Sequence, residues 1–152
     1  MKTYIIYASF HHRNTQKIAE VLADNLNAEL DKFENFNYEK FKNADLIGFG
    51  SGVYFSKFHR GLLNLTKSLD KQDSKKAFIF STAGMKKNFL FNRAHGHFKK
   101  ILKKQGFNCL DEFSCLAYDT YGLLKIFGGV NKNRPNQKDL DETKNFALKL
   151  KN

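Results

Sequence analysis

The sequence predicts an α/β fold, a doubly wound, five-stranded parallel sheet with helices on both faces, and three observations carry that prediction. Apolar runs at residues 3–8, 46–49 and 77–80 are short and β-branched or aromatic, and each is followed by Gly, Ser or Thr, as suits strands buried on both faces. Amphipathic helical patterns alternate with them. The 152 residues suffice for one sheet covered on both sides but are few for two domains, so residues 1–152 read as a single domain.

In order, the strand at 3–8 leads through a polar loop to a helix carrying Ile18, Val21, Leu22 and Leu26 on one face. A weaker strand at 28–33 precedes a short helix around 38–42. After the strand at 46–49, Leu62, Leu65 and Leu69 mark a helix; after 77–80, Ala94, Phe98, Ile101 and Leu102 mark the next. A fifth strand spans 107–118, and Pro135 and Asn136 introduce a last helix through Leu140, Phe146, Ala147 and Leu150. Parallel crossovers have one allowed hand, and such sheets bind ligands beyond the carboxyl ends of their strands. That edge is expected to hold three irregular segments, 9–14, 50–58 and 82–92.

The net charge of +11 is uneven: residues 1–74 carry 10 Lys and Arg against 9 Asp and Glu, whereas residues 75–152 carry 16 against 6. No acid occurs from Ser74 to Leu110, a stretch that includes Lys86, Lys87 and Arg93. A one-sign surface should attract a redox partner protein or an anionic small-molecule substrate. Specific nucleic-acid binding is not expected, because no recognition helix or aromatic sheet motif accompanies the charge. No apolar run approaches the roughly 20 residues of a membrane span, and no basic segment with a cleavable apolar core precedes the first strand. A cytoplasmic protein is expected. Cys109 and Cys115, about 20 Å apart along a straight strand, should be free thiols, and neither has metal-site spacing.

The junction Ser9-Phe10-His11-His12-Arg13-Asn14-Thr15 is where an α/β protein builds an anion cradle. Exposed amides and the positive end of the helix dipole favour a phosphate where Asn14 and Thr15 open the helix, and the hydroxyls of Ser9 and Thr15 add donors. The alternative is an ordinary turn capped by Asn14.

On these segments the chain resembles the flavodoxin family over nearly its whole length. Ser9, Asn14 and Thr15 stand in the places of the family's phosphate loop. Gly50-Ser51-Gly52-Val53-Tyr54-Phe55 is similar to its second flavin loop, Ser81-Thr82-Ala83-Gly84-Met85 to its third, and the stretch from Asn131 to Asp139 to the start of the last helix in a short-chain subgroup. The resemblance implies strand order 2-1-3-4-5 and noncovalent FMN. The phosphate would lie at the first loop and the ring between the other two, with Tyr54, Phe55 and Phe89 available to stack on it. The cofactor would carry the electron chemistry, so no catalytic side chain and no metal are required. Arg13 departs from the family's Gly: it resists positive φ, though its guanidinium, with His11 and His12 when protonated, could pair with the phosphate.

Residues 47–59 are also similar to the flavodoxin-like, quinone-linked protoporphyrinogen oxidases. The expected function is therefore FMN-based electron transfer. One alternative is a flavin-dependent reductase or oxidase acting on a quinone or tetrapyrrole, in which His59, His95 or His97 could meet a haem iron. The other is a flavin-free basic docking module, cofactor binding having been lost through Arg13.

Overall fold

In the computed structural model, residues 1–10, 12–84, 89–117 and 132–152 are described, with only the backbone at 89–91. The elements follow the order β1 (Thr3–Ala8), α1 (Asn14–Leu26), β2 (Glu29–Lys32), a 3-10 turn (Phe33–Asn35), α2 (Tyr38–Asn43), β3 (Leu46–Tyr54), β4 (Lys57–Phe58), α3 (Arg60–Ser68), β5 (Lys75–Ala83), α4 (Phe89–Lys104), β6 (Phe107–Leu116) and α5 (Gln137–Lys151). The parallel strands run β2-β1-β3-β5-β6, the expected order, and β4 pairs antiparallel with β3 alone.

Side chains alternate across β1 and so divide the core into two layers. Tyr4, Ile6 and Ala8 face a layer with Phe41, Leu62, Ala94, Phe98 and Leu102 from α2, α3 and α4. Ile5 and Tyr7 face Ile18, Leu22, Phe146 and Ala147 from α1 and α5. Gly48 and Gly50 are required by a close approach: they pair with Phe78 and Phe80, whose rings occupy the volume a Cβ would take.

The boundaries differ from the sequence reading in instructive ways. β3 continues through Tyr54 and β5 through Ala83, so most of the segment 50–58, and the first two residues of 82–92, are strand. Glycine and serine weaken strand propensity, but pairing of 46–51 with β1 on one side and 46–52 with β5 on the other overrides it. The short β4 lacks any period-2 pattern and was not foreseen. In β6, Cys109 pairs with Ala77 and Asp111 with Phe78, so Leu110 is an extra, bulged residue. Asn136 caps α5 as expected, within a capping box closed by Asp139, which is buried and paired with Arg134. Among the described residues no helix is long and apolar enough to cross a membrane.

Candidate functional site

β1, β3 and β5 are neighbours, with Ala8 opposite Ser51 and Gly52 opposite Thr82, so the segments that leave their carboxyl ends converge on one edge. The first segment turns through His12 and Arg13, both left-handed at φ 54° and 53°. Arg13 thus takes up the conformation it was expected to resist. That conformation costs about 1–2 kcal/mol per residue, and such strain persists where the surroundings impose it.

Arg13, not Asn14, occupies the N-cap position of α1, and its side chain makes no capping bond; Nε donates instead to Gln16 Oε1 at 3.1 Å. Ser9 does the capping from upstream, its Oγ accepting the Gln16 N–H at 3.2 Å. The first intrahelical bond runs from the Lys17 N–H to the Arg13 carbonyl, so Asn14 and Thr15 lie in the first turn, at the positive pole of the helix. Thr15, itself buried, shares a 2.8 Å hydrogen bond with Thr82 Oγ1, which ties the first segment to the third. His11 lies outside the described residues.

In the second segment, Ser51 is fully buried; its Oγ donates to the Gly52 carbonyl at 2.6 Å and accepts the His59 N–H at 2.9 Å. Val53 packs on the core beneath α3 and α4, and the Tyr54 ring folds back over Gly52. Tyr54 pairs with Lys57, leaving a two-residue turn in which Phe55 and Ser56 have φ 47° and 62°. Positive φ at both positions is the type I′ geometry normally given to Asn-Gly. Phe55 is 82% exposed there.

Next to this turn His59 caps α3, Nδ1 accepting the Gly61 N–H at 3.0 Å. Phe10 stacks on its ring at 4.4 Å, Phe33 lies at 5.2 Å, and burial lowers its pKa. In the third segment Thr82 is buried, while Ala83 and Gly84 are half-buried. Met85, Lys86, Lys87, the Phe89 side chain and Asn131 fall outside the described residues.

One feature escaped the sequence reading. Ser81 Oγ and His95 Nε2 are hydrogen-bonded, His95 Nδ1 meets Glu112 Oε2, and Lys99 reaches Glu112 Oε1 at 2.8 Å. The arrangement is that of an activated serine, yet Ser81 is fully buried, so no substrate reaches it. It acts instead as a buried clasp between β5, α4 and β6. Burial lowers the His95 pKa; Glu112 also lies low, because the bonds from Lys99 and His95 outweigh its own burial. No linear motif could have revealed it, since its members are brought together only by the α4 crossover.

Both ring nitrogens of His95 are thereby engaged, as is Nδ1 of His59, and among the described residues no group of three metal-ligating side chains forms. Cys109 and Cys115 are free; burial raises both thiols, that of Cys115 to about 12, so neither is a nucleophile near neutrality.

The Flavodoxin domain family model matches residues 4–126. An uncharacterized protein of Methanocaldococcus jannaschii is 47% identical over 150 residues, covering 99% of this chain and 98% of that protein. Among solved structures, the flavodoxin of Streptococcus pneumoniae TIGR4 superposes with a TM-score of 0.73 at 16% identity, covering 99% of this chain and 98% of that one. A flavodoxin from the domain Archaea gives a TM-score of 0.68 at 18% identity, covering 99% and 96%. Family model, relative and fold agree with the strand order and the converging segments described above: the chain belongs to the flavodoxin family.

Proposed function

We propose that the protein binds FMN noncovalently at the carboxyl edge of the sheet and transfers electrons through it. The supporting observation is the junction of the first and third segments, where the start of α1 meets the Thr15–Thr82 hydroxyl pair. That donor set, at a helix start of positive polarity, fits a phosphate. Tyr54 and Phe55, on the neighbouring segment, fit a planar aromatic ring. When bound, the flavin would supply the one- and two-electron chemistry.

The chain's own part is to hold and orient. Ser9 keeps the helix start open by capping Gln16, and Ser51 fixes the second segment through the amide of His59. Beneath the site, Ala8, Ser51 and Thr82 of β1, β3 and β5 are buried. A reducing, cytoplasmic setting belongs to the same proposal and is supported by the two free thiols. The test is to express the chain, extract its bound small molecules and titrate it with FMN. A colourless product that takes up no FMN rejects the proposal.

A second reading, an FMN-dependent reductase or oxidase of a quinone or tetrapyrrole, is favoured by the shelf that Phe10, 48% exposed, builds on His59 beside the site. A planar acceptor would lie on such a shelf. Sustained turnover with a chemical reductant and a soluble quinone would distinguish this enzyme from a carrier.

A further inference from the structure

The elements flanking the second segment carry lysines and no acids of their own. Lys57 on β4, Lys67 on α3 and Lys100 on α4 are all exposed, and no Asp or Glu occurs in these three elements. All three act on one ring: His97 has a lowered pKa, chiefly through burial and then through the charges of Lys57, Lys67 and Lys100. β4 and α3 both pack against α4, so the three lysines belong to one contiguous layer of the fold.

None of the three lysines joins an ion pair among the described residues. Two other lysines of the acid-free stretch are held within the fold. Lys75 donates to the carbonyls of Phe41, Lys42 and Ala44 at the end of α2, and Lys99 is paired with Glu112. Lys57, Lys67 and Lys100 thus stand as uncompensated charge on β4, α3 and α4. Like charges kept together without counterions repel one another, and that cost is recovered when an acidic surface meets them.

Lys57 immediately follows the Phe55–Ser56 turn, so the face begins where an exposed aromatic stands beside the candidate flavin edge. An apolar anchor flanked by charge is the make-up of a protein–protein contact. A nucleic acid would match the lysines but leave Phe55 without apolar contact. An anionic bilayer would bury Phe55 but has no electron to exchange.

We propose that this face docks an acidic electron-transfer protein, with Phe55 at the apolar centre of the contact and Lys57, Lys67 and Lys100 along its flank. The proposal rests on the electron-transfer reading above, because docking here brings the partner's redox centre up to the second segment.

The experiment titrates the purified chain calorimetrically with a strongly acidic two-cluster ferredoxin at low salt, then at rising salt. A triple variant, Lys57→Glu, Lys67→Glu and Lys100→Glu, is compared with a control, Lys138→Glu and Lys144→Glu, on α5 across the sheet. Circular dichroism verifies that both fold. The triple variant should weaken binding about tenfold or more at low salt and flatten the salt dependence, with the control unchanged. No binding by the unaltered chain, or equal loss in both variants, overturns the proposal. So does tighter, equally lysine-dependent binding to duplex DNA or to phosphatidylserine-containing vesicles. The charge contact does not need the coenzyme. A chain that takes up FMN yet fails to dock removes this inference alone, and a colourless chain that still docks removes the electron-transfer reading alone.

Discussion

Ser81 Oγ lies 2.6 Å from His95 Nε2, and on the far side of the ring His95 Nδ1 lies 2.8 Å from Glu112 Oε2. The imidazole therefore links the end of a central strand to the outer strand β6 through α4. With Nδ1 donating to the carboxylate, Nε2 is left to accept the serine proton. Ser81→Ala leaves that nitrogen buried and unsatisfied and should cost about 1–3 kcal/mol. His95→Ala should cost more, because it removes both bonds and leaves a cavity. Urea unfolding of both variants measures this, and unchanged midpoints would show that the clasp carries no load.

Acid should loosen the fold in two stages. His59, His95 and His97 all have pKa values lowered in the folded chain from 6.5, burial being the largest cause in each. Below about pH 6.5 the unfolded chain takes up protons that the folded chain refuses, so stability falls as pH drops from there toward the folded values. Asp111 and Glu112, whose folded pKa values are also lowered, add a second loss below the ordinary carboxylate range. Urea midpoints at about pH 7.5 and about pH 5.5 should differ, the latter being lower; coincident midpoints contradict the histidine stage.

Arg13→Gly separates strain from binding. Relieving the left-handed backbone gains about 1–2 kcal/mol, offset by about 0.5–1 kcal/mol for the greater freedom of glycine in the unfolded chain. The variant should therefore be at least as stable as the parent. If the guanidinium assists the phosphate, FMN affinity should fall in spite of the sounder fold. Flavin uptake by the variant but not by the parent would instead support the flavin-free docking module.

The hairpin turn admits the same logic. Replacing Phe55 and Ser56 together by Asn and Gly installs the residues this turn prefers and should stabilise the chain by about 1 kcal/mol. The same change removes an aromatic face, so FMN should dissociate faster. A variant that is more stable yet holds FMN as long as the parent would remove Phe55 from the flavin site.

At the helix start, Thr15→Ala and Ser9→Ala should each weaken FMN by about 1 kcal/mol or more. Ser9→Ala should also cost about 0.5–2 kcal/mol of fold stability, since the Gln16 amide loses its cap. FMN affinity unchanged from the parent in both variants would move the phosphate elsewhere.

The strands, the helix faces and the start of α5 were legible from local pattern, in the apolar run at 3–8, the spacing of Ile18, Leu22 and Leu26, and Pro135-Asn136, whereas the strand order followed from the family resemblance. What was not legible depends on distant pairing. The reach of β3 to Tyr54 comes from two flanking strands, and β4 exists only because the Phe55–Ser56 turn folds Lys57 back on Tyr54. The positive φ of Arg13 reversed a sound local expectation, because tertiary packing outweighed a cost of about 1–2 kcal/mol. The clasp joins residues 14 and 17 positions apart across three elements, a relation no sequence period encodes.

The glycines of β3 bear on how the chain finds its alignment. Gly48 and Gly50 act as two notches that receive Phe78 and Phe80, but Gly52 is a third on the same face, so sliding β5 by two residues would still seat both rings. The ring of Tyr54 already fills that third notch and turns an ambiguous ratchet into a keyed fit. A smaller residue at position 54 would then cost assembly fidelity more than contact energy, through molecules whose central strands come together one step out of place.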